Sequence, residues 1–137
     1  MEVAIELTRI LINESGDAQI IVVKETDGDR RFPISIGFFE AAAIDRRLKQ
    51  IPIPRPMTHE LLRSVITHLG GQLNRVVICD LSDGTFYAKL MVAQDGREVE
   101  IDCRPSDGIA LAVADNTPLF CEEKVLAAAA LPPGQPM

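Results

Sequence analysis

The chain has 137 residues, 47% of them apolar, which suits one domain that builds its core without disulfide or metal staples. Its formal net charge of −6 argues against a broad basic surface for nucleic acid, yet fits acidic clusters that work through a bound metal. No apolar run is long enough to cross a bilayer and the first residues lack the order of a secretory leader, so a cytoplasmic protein with no membrane partner is expected.

Residues 2–12 are rich in β-formers and lead into the turn cluster Asn13-Glu14-Ser15-Gly16-Asp17. Ile20-Ile21-Val22-Val23 reads as a second strand, Asp27-Gly28-Asp29 as a second turn, and 31–36 as a third strand in which Pro33 suits an edge or a strand end. The first third is thus an antiparallel meander. Gly37 breaks the pattern, and 38–49 reads as a helix. Ala41, Ile44 and Leu48 share one stripe, Glu40 lies in the first turn, and Arg46, Arg47 and Lys49 load the last turn as the helix dipole favours. The alternate prolines of Ile51-Pro52-Ile53-Pro54-Arg55-Pro56 force an extended connector.

Thr58 is suited to cap a second helix over 59–69, with Leu61, Leu62, Val65, Ile66 and Leu69 as its core face and Gly70-Gly71 as its stop. Strands at 75–80, 85–92 and 98–103 follow, joined by Ser82-Asp83-Gly84 and Gln94-Asp95-Gly96, both hairpin signals. Ser106 is placed to cap a third helix running to Asn116, apolar almost all round and therefore expected in the core. A short strand at 119–121, a last helix at 122–130 and a proline-bearing, flexible tail at 131–137 complete the chain. Each half runs through three strands into a helix, which suggests an internal duplication. The predicted class is α+β, with mainly antiparallel sheets and three to four helices in one domain over 1–130.

Three polar clusters could carry chemistry. In Arg55-Pro56-Met57-Thr58-His59-Glu60, a histidine and a carboxylate open a helix; they suit a base and a metal ligand, or simply an exposed first turn. Asp80 and Asp83 could share a cation, although Ser82-Asp83-Gly84 is also what a hairpin turn requires. In Asp102-Cys103-Arg104-Pro105-Ser106-Asp107, two carboxylates and an arginine meet at a strand-to-helix junction. Such a junction can hold Mg²⁺ or Mn²⁺ and face a phosphate, or it can be an Arg–Asp pair with Ser106 as helix cap. His68, late in the second helix, fits a solvated residue. Cys79, Cys103 and Cys121 are odd in number, widely spaced and set among apolar residues, as buried small hydrophobes are. No phosphate-binding glycine loop, nucleophile elbow or His-Glu-x-x-His motif is present, and aromatic residues are too few for an obvious base-stacking platform.

At these same segments the sequence resembles the bifunctional nuclease family of bacteria and plants, credited with both DNase and RNase activity. The matching runs begin with Phe32-Pro33-Ile34-Ser35-Ile36-Gly37 and Glu40-Ala41. Arg55-Pro56-Met57-Thr58-His59-Glu60-Leu61-Leu62, Arg75-Val76-Val77-Ile78 and Asp83-Gly84-Thr85-Phe86-Tyr87-Ala88 follow. Asp102-Cys103-Arg104-Pro105-Ser106-Asp107-Gly108 and Pro118-Leu119-Phe120 come last. Departures are few: Glu60 where the family usually has Asp, Gly108 where Ala is usual, Cys103 for a small apolar residue, and Asp115 where a basic residue is common. The resemblance implies an α+β fold and frequent dimers.

Two functions stay open. In the first, the protein hydrolyses phosphodiester bonds of DNA or RNA with a divalent cation, Mg²⁺ or Mn²⁺, held by Asp102, Asp107 and Glu40. Arg55 and Arg104 would then position phosphate and His59 move a proton, with Glu60 orienting it. In the second, it is a non-enzymatic homodimeric binding module whose Arg–Asp motifs are architectural.

Overall fold

Alternation of apolar and polar residues sets the strands, and aspartate–glycine pairs turn them. The structure, a computed structural model, describes residues 1–13, 15–16 and 18–135. Glu14 and Asp17 of the expected turn cluster, and Pro136 and Met137 of the expected tail, lie outside the described residues. Strands β1 (Glu2–Leu11), β2 (Ala18–Glu25) and β3 (Arg31–Gly37) form one antiparallel meander. Strands β4 (Gln72–Ser82), β5 (Thr85–Gln94) and β6 (Arg97–Cys103) form another. In the turns of the second, Asp83 and Gly84 have φ of 51° and 79°, and Asp95 and Gly96 have 51° and 77°. Two successive positive φ values make the type I′ turn whose twist matches a hairpin, so the turn reading of Asp83 holds.

The short strand β7 (Leu119–Glu122) joins the meanders. It lies antiparallel to β1 and parallel to β4, giving one seven-stranded sheet in the order β3-β2-β1-β7-β4-β5-β6. The sheet is strongly curled. Phe32 of β3 and Phe86 of β5 stack with ring centroids 5.2 Å apart, whereas five strand spacings in a flat sheet would put them roughly 24 Å apart.

Helices α1 (Phe38–Leu48), α2 (Thr58–His68), α3 (Pro105–Val113) and α4 (Glu123–Ala129) complete an α+β fold. The core runs from Ile21, Val23 and Phe32 through Val76, Ile78 and Leu90 to Ile109 and Leu111 of α3, which is buried as its all-round apolar sequence predicts. Beyond α4, the Leu131 amide bonds to the Arg31 carbonyl at 2.9 Å.

Three local expectations are corrected. Helix α2 begins at Thr58, with Met57 as its cap residue, and α3 begins at Pro105, with Arg104 as its cap residue. Proline suits the first helical position because its missing N–H would have had no partner there, so Ser106 falls inside the helix and is buried. The expected core face of α2 is largely open: Leu61 is 57% exposed and Leu69 71%, and of this face Ile66 packs against the core as a half-buried residue. Arg47 lies in the last turn of α1 as expected, and it is buried because it falls three residues beyond Ile44 on the face that meets α3.

Candidate active site

The two distinctive polar motifs, 48 residues apart in sequence, meet at the starts of α2 and α3. His59 Nε2 lies 3.0 Å from Asp107 Oδ1. Arg104 Nε donates to Asp107 Oδ2 at 2.9 Å and its Nη2 to Oδ1 at 3.2 Å. Asp107 sits in the first turn of α3, where a negative charge is favoured. Burial alone would raise its carboxyl pKa, but the bonds from Arg104 and His59 outweigh that and hold it below its ordinary value. The same pairing raises the pKa of Arg104. His59 is nearly enclosed, with 12% of its side chain exposed, while Arg104 is 64% exposed and open to a ligand.

The remaining expected residues divide. Glu40 Oε2 accepts the Gly37 N–H at 3.1 Å, capping α1, and stands 3.7 Å from Arg104 Nη1. Glu60 caps α2 through the Met57 N–H at 3.1 Å and pairs with Arg47; Asp107, not Glu60, bonds to His59. Both glutamates are third residues of their helices, where a carboxylate reaches back to the cap amide. Asp102 is exposed at the end of β6, on the wall of a cleft of about 440 Å³ that His59 and Asp107 also line. Arg55 is exposed in the proline connector, outside this cleft.

The fit of a divalent cation can be tested on the donors. Both oxygens of Asp107 and one of Glu40 are already engaged by Arg104, His59 and a backbone amide. Among the described residues, no three His, Cys, Asp or Glu side chains gather as a metal-holding group. Mg²⁺ needs near-octahedral oxygen ligation, so this donor set, as folded, does not fit it. The Asp80–Asp83 alternative fares no better, since Asp80 accepts the Leu81 amide and faces Lys124 at 3.6 Å.

Two arginines escaped the sequence reading. Arg46 lines a cleft of about 330 Å³ together with His59, Arg104 and Asp107. Its Nε is sealed from solvent and meets no acceptor among the described residues. Arg47, with 6% of its side chain exposed, donates to the Ala110 carbonyl and to Glu60, tying α1, α2 and α3 together behind the site. Helical spacing from Ile44 was the signal for Arg47; for Arg46 the sequence carried none. Asp115 pairs with Arg63 at 3.1 Å, and Arg63 also bonds to the Leu111 carbonyl near the end of α3. Cys103 and Cys121 are free thiols whose pKa is pushed up to about 12 by burial, which makes them inert packing groups.

The fold is α+β, and a histidine, a carboxylate and an arginine converge at paired helix starts on a polar cleft. The chain belongs to the bifunctional nuclease domain family, whose model matches residues 21–133. It is similar to the uncharacterized protein Rv1829 of Mycobacterium tuberculosis (strain ATCC 25618 / H37Rv), at 39% identity over 127 residues, covering 93% of this chain and 76% of that one. It is also similar to bifunctional nuclease 1 of Oryza sativa subsp. japonica, at 26% identity over 118 residues, covering 83% of this chain but only 36% of the rice protein. No helix among the described residues is long and apolar enough to cross a membrane.

Proposed function

We propose that this protein hydrolyses phosphodiester bonds of nucleic acid in the cytoplasm, with His59 as the proton-transfer residue. The observation that carries this reading is the His59–Asp107–Arg104 constellation in a chain of a nuclease-domain family. A carboxylate acceptor at Nε2 fixes the ring tautomer and leaves Nδ1 as the basic nitrogen. A water held there gives its proton to Nδ1 as its oxygen attacks phosphorus. The bond from phosphorus to the leaving oxygen breaks, and that oxygen takes a proton from solvent. Arg104 and Arg46, on the walls of one cleft, offset the charge that builds on the phosphoryl oxygens. No step passes through a metal ion, because both oxygens of Asp107 and Oε2 of Glu40 are already engaged by Arg104, His59 and a backbone amide.

The test is cleavage of plasmid DNA and of a structured RNA, with Mg²⁺, with Mn²⁺ and with chelator. Wild type is compared with His59→Ala and Arg104→Ala, all prepared identically. Cleavage that persists in chelator and falls at least about a hundredfold in His59→Ala supports the reading. Cutting that needs a metal would return Asp102, Asp107 and Glu40 to the ligand role expected from the sequence. Equal cutting by all three proteins would place the activity elsewhere.

A homodimer belongs to the same proposal. The exposed stripe Leu61, Val65 and Leu69 on α2 is an unpartnered apolar face that a second α2, related by a two-fold axis, would cover. Light scattering of wild type against Leu61→Lys decides it: an unchanged mass would reject this face.

A further inference from the structure

Arg104 is shared by a further cleft, on the side away from His59. This cleft, of about 510 Å³, lies between β3, the turn joining β4 to β5, and the start of α3. Its volume is in the range that takes a small organic ligand. One wall is apolar, formed by Ile34, Ile36 and Phe86. The opposite wall is the first turn of α3, a nine-residue helix whose Ser106 and Asp107 amides have no acceptor within the helix. Ser106 lines this cleft, is only 5% exposed, and its hydroxyl bonds to no other described residue. The residue is almost wholly enclosed, yet its oxygen is not sealed from solvent and lies on the cleft lining, where a ligand can supply the partner that the protein does not.

We propose that this cleft seats one nucleotide of the nucleic-acid chain next to the cleaved bond. Its phosphate lies on Arg104 and the first turn of α3, where Ser106 Oγ hydrogen-bonds to it. Its base rests on the wall of Ile34, Ile36 and Phe86. A cleft lined by both an apolar wall and an anion-binding helix start is amphipathic in the same sense as a nucleotide. Arg104 then bridges the subsite and the reacting phosphate. This inference rests on the nuclease reading for its substrate class, and its test uses binding rather than cleavage.

The experiment is calorimetric titration of the full chain with a nucleoside 5′-monophosphate and, separately, with inorganic phosphate. Wild type, Ser106→Ala and Ser35→Trp are compared, with folding checked by thermal melting. Ser35 is an exposed strand position lining the cleft, so tryptophan there blocks the cleft without entering the core. The mononucleotide is expected to bind more tightly than phosphate. Ser106→Ala should weaken it by about five- to tenfold and Ser35→Trp should abolish it. Equal affinity for phosphate and mononucleotide, or folded Ser106→Ala and Ser35→Trp that bind like wild type, would overturn the subsite. No mononucleotide binding to wild type would overturn it too, even if plasmid were cut. Binding with the expected pattern but without cleavage would keep the subsite and remove the nuclease reading.

Discussion

Asp107 is held ionised against its own burial by its hydrogen bonds to Arg104 and His59. Its native pKa is lowered, so the unfolded state binds the proton more readily. The resulting stability is present above the unfolded value of about 3.9 and is lost as pH falls through the native value. Wild type should therefore lose Tm more steeply than Asp107→Asn between about pH 5 and pH 3. Parallel Tm-against-pH curves would contradict this. Glu60 makes a different case at the same scale. Its carboxylate is the counter-charge of the buried Arg47, whose pKa burial lowers, and it also caps α2. Glu60→Ala should cost on the order of 3 kcal/mol, because it strands a buried charge. Cleavage per folded molecule should be retained, since Asp107 rather than Glu60 holds His59. A denaturant melt and a rate at low temperature separate the two effects, and a large loss of rate with full stability would restore Glu60 to the orienting role.

Among the elements, α3 shows how packing overrides propensity. Gly108 stands in mid-helix, where alanine would add about 1 kcal/mol of helix propensity. A Cβ there would lie 2.7 Å from Val76 Cγ1 and 3.3 Å from Cys103 Sγ. Val76 is fully buried and stiff at χ1, so it cannot swing aside, and overpacking of this kind costs about 1–3 kcal/mol. Gly108→Ala is expected to lower Tm, and Val76→Ala in the same chain to recover part of the loss; a raised Tm for the single substitution would show that the core gives way. Helix α2 errs in the opposite direction. Its apolar stripe was legible, but periodicity reports only that a face wants cover. What covers it is decided by where the helix lies, and here it packs on α3 and β4 by another part of its surface, leaving Leu61, Val65 and Leu69 in the open.

For the molecule as a whole, the acidic balance and a nucleic-acid substrate are reconciled by the small number of cations at the cleft. Arg46 and Arg104 line it, and Glu40 and Asp107 sit beside them. With about two phosphates neutralised, affinity for duplex DNA should fall only about tenfold between 50 and 200 mM salt, far less than for proteins with a basic surface. A binding isotherm at several salt concentrations checks this, and a loss of a thousandfold or more would mean a larger basic footprint than these residues provide.

Every strand and helix was legible from alternation, aspartate–glycine turns and helical spacing, because these are local properties of the backbone and its neighbours. So was the pair of motifs around His59 and Asp107. Their meeting was not, nor was the insertion of β7 between the two meanders that makes one curled sheet of them. Both depend on contacts across at least 43 residues of chain. The tertiary structure decided that Arg104 occupies the space between Glu40 and Asp107, that Glu60 turns to Arg47, and that Arg46 faces the cleft unpaired. A side chain's partner is set by which elements pack together, and no local pattern in the chain encodes it.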